Sequence, residues 1–133
     1  MICSKVLVPS GVLGLGFDIE ALKNGLNRKP DIISIDGGST DSGPYSLGSG
    51  TSKYSRSAIK SEWKILMKAR EEAKIPLLIG SSGTCGTDEM VDWMEDITIE
   101  LAEEMGQSIK ITKLYCEQDK EFIKTSFKNK KIS

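Results

Sequence analysis

Histidine is absent from this chain of 133 residues. Any mechanism that needs an imidazole from the chain itself is thereby excluded, including Ser-His-Asp triads, Cys-His dyads and HExxH zinc sites. Cysteine is scarce, with only Cys3, Cys85 and Cys116. None forms a CxxC pair, and three thiols without histidine cannot close a standard structural zinc site. An odd, widely spaced set also argues against a disulfide framework, so reduced thiols and a cytoplasmic protein are expected. Neither sign of charge is in excess: Lys plus Arg is 18 against 19 for Asp plus Glu, a net charge of −1. That balance argues against nucleic-acid binding through a basic face. No stretch approaches ~18 apolar residues, so no membrane span is expected. The opening Met1 to Pro9 is too short for a signal-peptide core with its cleavage site. The length fits one domain, which buries roughly two thirds of its extended surface.

What is present alternates between two periodicities. Lys5 to Pro9 is a short β-rich run closed by Ser10-Gly11. Asp18 to Arg28 reads as a helix, with Ile19, Leu22 and Leu26 on one face and Asp18 as its cap. Asp31 to Asp36 is a second strand, ended by Gly37-Gly38. Ser57 to Lys74 is a second helix, with Ile59, Trp63, Leu66, Met67 and Ala73 apolar and lysines and glutamates facing away. Pro76 to Gly80 is a nearly continuous apolar run, which suits a central parallel strand covered on both faces. Asp88 to Met105 is a third helix, striped by Met90, Met94, Ile97, Leu101 and Met105 and closed by Gly106. Asp88 reads most simply as its N-cap. Ser108 to Cys116 is expected as a fourth strand, and Asp119 to Lys128 as a fourth helix. Four β-then-α units imply a three-layer, Rossmann-like α/β domain, with about four parallel strands and helices on both faces. The closing Lys128 to Ser133 reads either as a polar frayed tail or as a truncation.

The glycines show where chemistry could lie. Gly11, Gly14 and Gly16 follow the first strand; Gly37, Gly38, Gly43, Gly48 and Gly50 follow the second; Gly80, Gly83 and Gly86 follow the third. In an open parallel sheet these loops share the carboxyl edge, where ligands bind. Glycine lets backbone approach a ligand closely, and the following helix N-termini aim N–H groups at anions. Interleaved hydroxyls, among them Ser10, Ser39, Thr40, Ser42, Ser81, Ser82 and Thr84, add donors and acceptors. The blander reading is that βα loops are simply rich in glycine and serine. Named phosphate motifs do not match: Gly14-Leu15-Gly16 lacks the third glycine of the dinucleotide fingerprint, and Lys53 is misplaced for a Walker A loop. No cofactor is legible and no metal site is assigned.

Acidic residues stand at the same edge. Asp36 and Asp41 are read either as Asx-turn formers or as a carboxylate pair serving as general base or metal ligands, since no histidine is available for proton transfer. Lys53 and Arg56 could hold a carboxylate or phosphate, or remain a solvated pair. Tyr45 could supply a hydroxyl or cover an apolar ligand. Cys85 precedes a helix N-terminus, which lowers a thiol's pKa, but it lacks a base partner. The acidic face of the third helix is most simply solvated.

Two segments resemble a known family. Asp31 to Gly50, with Asp36-Gly37-Gly38-Ser39-Thr40-Asp41-Ser42-Gly43-Pro44-Tyr45 at its centre, is similar to the DxGSTDxGPxxLGxG stretch of acyclic terpene utilisation (AtuA-like) proteins. Ile75 to Gly86 is similar to the iPliIGSaGTaG segment that follows it there. The resemblance implies the N-terminal α/β domain of a catabolic protein, and hence the first portion of a longer chain. Small residues are common there at the Cys85 position, which speaks against a family-wide nucleophile. The expected site is a Gly/Ser/Asp-lined pocket for an acidic or acyl small molecule. Asp36 and Asp41 are its candidate catalytic groups. Ser10, Gly11, Gly38, Ser39, Thr40, Ser42, Tyr45, Ser81, Ser82, Gly83 and Thr84 are its candidate ligand contacts. The rival readings are a non-catalytic ligand-binding or regulatory module, and an inactive fragment of a larger enzyme. The uncovered edges of a four-unit sheet also suggest a homodimer.

Overall fold

The computed structural model describes residues 3–38 and 44–132. Among them the order is β1 (Val6–Leu7), α1 (Ile19–Leu26), β2 (Ile32–Asp36), α2 (Tyr45–Ser49), α3 (Arg56–Ala73), β3 (Leu77–Gly80), α4 (Asp88–Met105) and α5 (Lys120–Lys128). Short polar side chains set the helix starts. Asp18 accepts from the Glu20 and Ala21 amides at 2.8 and 3.1 Å, and Ser55 accepts from Ala58 at 3.2 Å. The cap of α4 is Thr87, which accepts from Met90 at 3.3 Å; Asp88, expected there, instead opens the first turn. The short α2 lies in what reads as pure loop. It begins after Pro44, whose φ of −77° suits a helix start, and stops at Gly50 in the left-handed region.

The three strands form a parallel sheet in the order β1-β2-β3. Its register places Leu7 beside Ile33, Ile33 beside Leu77, and Ile35 beside Ile79. These five side chains share one face, because side chains alternate along a strand. They pack into or against a single cluster that includes Leu22 of α1, Ile59, Trp63, Leu66 and Met67 of α3, and Met94, Ile97 and Leu101 of α4. On the other face Val6 is 56% and Leu78 52% exposed. The arrangement is therefore mixed α/β with the helix layer gathered on one face of the sheet. Its cause is topological: two right-handed crossovers advancing in the same direction deliver α1 and α3 to the same side. Consequently β3 is an edge strand, not the doubly covered central strand that its apolar run suggested.

Residues 108–116, expected as a fourth strand, carry no ladder. Their second half is drawn to α4. Lys113 Nζ lies 2.8 Å from Asp92 and 2.5 Å from Glu95, the Tyr115 hydroxyl donates to Asp92, and the Asp88 amide donates to Glu117 at 3.0 Å. A groove of about 600 Å³ remains between β3 and residues 109–114, with Trp63, Met67, Met94 and Ile109 among its walls. No described helix is long and apolar enough to cross a membrane.

α3 and α4 are joined by more than apolar contact. The Trp63 indole donates to Thr98 at 2.9 Å, and above it runs a ladder of ion pairs. Arg56 meets Glu100 at 2.7 Å, Lys60 meets both Glu100 and Glu104 at 2.5 Å, and Lys64 meets Glu104 at 2.7 Å. The Lys60 and Lys64 ammonium groups hold the Glu104 carboxyl at about 2, against its ordinary 4.5. A carboxyl depressed in the folded state binds more protons when the chain unfolds, so its contribution is complete above 4.5 and drains as pH falls toward 2. Acid titration of unfolding should therefore show a loss of stability in that interval. Glu104→Gln should flatten this part of the curve while leaving its slope near neutral pH unchanged.

Candidate functional site

The loops after β1, β2 and β3 meet at the carboxyl edge of the sheet. The Leu13 amide donates to the Asp36 carbonyl at 2.9 Å, which ties the first loop to the end of β2. The Gly37 amide donates to the Gly80 carbonyl at 2.6 Å, which carries the β2–β3 pairing one step past the strands. The Lys53 amide donates to Thr84 Oγ1 at 3.0 Å, closing the long second loop onto the third. Parallel pairing in register is what brings these loops to one rim, and polar main-chain bonds then fix them to one another.

Gly38 and Thr84 are in direct contact. A Cβ on Gly38 would stand 2.1 Å from Thr84 Cα, so no side chain fits. Thr84 is 1% exposed and takes a left-handed φ of 78°, unusual for a β-branched residue. Ser81 (φ 48°), Gly83 (φ 59°) and Gly86 (φ 65°) are left-handed as well, so this loop coils tightly before α4. Ser82 is buried within it, and its carbonyl accepts from the Gly86 amide at 2.9 Å.

The first loop closes on itself. Ser10 Oγ accepts from the Val12 amide at 3.2 Å and donates to the Val12 carbonyl at 2.9 Å, a local serine turn. The Gly14 and Gly16 amides, which sequence reasoning offers to a ligand, both donate to the Glu62 carboxylate at 2.7 Å. Gly14 is required for a packing reason, since a Cβ there would lie 2.7 Å from Tyr54 Cβ. Glu62 was not singled out from the sequence. Its position between Ile59 and Leu66 on the buried side of a helix was the available signal, because a charge there needs a partner.

The candidate residues divide accordingly. Gly38, Ser81, Ser82, Gly83 and Thr84 form one cluster where the second and third loops touch. Asp36 is exposed beside it, and its Oδ1 accepts from the Gly38 amide at 3.0 Å in an Asx-turn arrangement. Gly11 is exposed with nothing near it, and Tyr45 is 77% exposed on α2. Ser39, Thr40, Asp41 and Ser42 lie outside the described residues. Arg56 is engaged by Glu100, and Lys53 Nζ stands 5.8 Å from the Tyr54 ring centre. The Cys85 thiol is 3.6 Å from the Thr87 hydroxyl. Among the described residues no group of three or more Cys, Asp and Glu could hold a metal ion.

The Gly38–Thr84 contact has a measurable consequence. Gly38→Ala should destabilise the fold by about 1–3 kcal/mol, because backbone must move to admit the methyl group. Gly11→Ala, with nothing within 4 Å, should stay within ~0.5 kcal/mol of the parent in denaturant unfolding. Comparison of the chain with protein-family models, curated proteins and solved structures finds no match.

Proposed function

We propose that the rim formed by the second and third loops binds an acidic or acyl small molecule. In this reading the chain is a cytoplasmic, AtuA-like catabolic protein, as the Asp31–Gly50 and Ile75–Gly86 segments suggest. The observation that carries the proposal is the convergence of the loops at the carboxyl edge of a parallel sheet, tied together by the Gly37–Gly80 and Lys53–Thr84 hydrogen bonds, the edge where such sheets take ligands. Asp36 stands exposed at this junction, next to the segment that holds Ser39, Thr40, Asp41 and Ser42. Asp36 and Asp41 would then share the acid and base work, since no imidazole is available. A non-catalytic binding module is the second reading, favoured by the engagement of Asp36 with the Gly38 amide and of Arg56 with Glu100.

A panel of short acyl carboxylates tests the proposal by thermal unfolding, because a ligand that binds only the folded chain raises the transition temperature as its concentration rises. The expected result is a concentration-dependent rise that Asp36→Asn and Asp41→Asn both alter. Turnover of a panel member should fall ~10²-fold or more in either variant if these groups transfer protons. Binding with no turnover supports the module. No rise with any panel member overturns the site.

We also infer that residues 109–114 complete the sheet as a fourth strand on β3. The Pro76 and Gly80 carbonyls accept from Ile33 and Gly37 of the neighbouring strand. Alternation then turns the N–H and C=O groups of Leu77 and Ile79 toward the free edge. Ile109 and Ile111 line the same groove. Amide exchange at Leu77 and Ile79 reads the pairing directly. Protection comparable to Ile33 and Ile35 is expected, and Thr112→Pro should remove it; exchange as fast as an open edge overturns the fourth strand.

A further inference from the structure

We propose that α5 is an arm that docks on α4 of a second copy of this chain, exchanged reciprocally across a two-fold axis. The proposal is independent of the ligand site. α5 has nine residues, and isolated helices shorter than ~12–15 residues are marginal in water. Its stability must come from packing, yet Phe122 is 60%, Ile123 43% and Phe127 65% exposed, and the residue it buries is Ser126. Lys120, Ile123 and Phe127 recur at i, i+3 and i+7, so the helix presents one face that is apolar and basic together.

α4 presents the complementary face. Glu89, Asp92, Asp96, Ile99 and Glu103 recur at i, i+3, i+7, i+10 and i+14, and Ile99 is 43% exposed. Eight acids and no base occur along α4. Glu100 and Glu104 are matched by α3, and Asp92 and Glu95 by Lys113. Among the described residues Glu89, Asp96 and Glu103 have no ion-pair partner, and neither have Lys120, Lys128, Lys130 and Lys131.

Charge complementarity selects the occupant. One chain of net charge −1 carries both an unmatched acidic helix face and an unmatched basic one, so a second copy supplies each with its opposite. The same chain does not pair them within itself. Residues 113–117 already lie along the first half of α4, and only Gln118 and Asp119 separate them from α5. The arm does not lie back over its own α4: Phe122, Ile123 and Phe127 stay exposed, and the ion pair that α5 makes among the described residues, Lys124 with Glu121, is internal to it. Reciprocal exchange uses both faces of both copies and closes the assembly.

Sedimentation of the full chain from low to high micromolar concentration tests the arm, with circular dichroism to show that each variant stays folded. The parent should dimerise, and more weakly as salt is raised. Lys120→Glu and Asp96→Lys should each weaken the dimer roughly tenfold or more, because each sets like charges against one another. The two changes in one chain should restore it, since the exchanged charges again meet their opposites. A chain that remains monomeric throughout overturns the proposal. So does a dimer indifferent to either reversal, which would lie on another surface, or a double variant that stays as weak as the singles.

Discussion

Everything in this molecule leans on the middle strand. Among the described strands β2 is the one with a hydrogen-bonded neighbour on both sides, and its Ile33 and Ile35 are almost wholly buried beneath α3. Strands at the edge of a sheet leave half their peptide groups unpaired, so the flanking strands keep their place because β2 holds them. Besides β2, the short β1 and four-residue β3 are held by Leu7, Leu77 and Ile79, which pack against the same core. The same strand delivers Gly37 and Gly38 to the rim, so the geometry of the candidate site follows from the core. Loss of packing under Ile35 would be felt at Gly38 three residues later.

Periodicity made α1, α3, α4, α5 and three strands readable, but not the short α2. Ile33, Ile35 and Ile79 are strongly β-forming, and Leu22, Ile59, Trp63, Leu66, Ile97 and Leu101 fall at helical spacing. What periodicity does not encode is lateral order. Leu77, Leu78 and Ile79 are all apolar, which looks like a strand covered twice, yet Leu78 is 52% exposed because none of the described helices covers that side. The sheet order, not the composition of β3, decides this. The segment after Gly106 illustrates a second limit. Ile109 and Ile111 alternate as a strand should, but Lys113, Tyr115 and Glu117 find partners on α4 that local pattern gives no means to foresee.

The rim was legible as a place and less so as a set of contacts. Glycine-rich loops after parallel strands correctly direct attention to the carboxyl edge, but several of those glycines serve the protein and not a ligand. Gly38 admits Thr84, Gly14 admits Tyr54, and Gly83 admits Met90, where a Cβ would fall 2.5 Å from the sulfur. Close approach between two loops and close approach to a bound molecule demand the same residue, so a sequence cannot separate them. Tyr45 shows the converse: it belongs to the most distinctive run in the chain and points to solvent on a short helix of its own.

The grip of Glu62 on the first loop has a mechanical meaning. One carboxylate holds two amides of that loop, and it is borne on the second turn of an eighteen-residue helix whose far end leads, after two residues, into Pro76 and β3. A helix is stiff along its axis, with a rise of 1.5 Å per residue. The turn that follows β1 is thus held about 17 Å along the same rod from the end that leads into β3. Any force that lifts the first loop away from the rim is transmitted lengthwise through α3 to the edge strand, so the two ends of the sheet move in step and not separately.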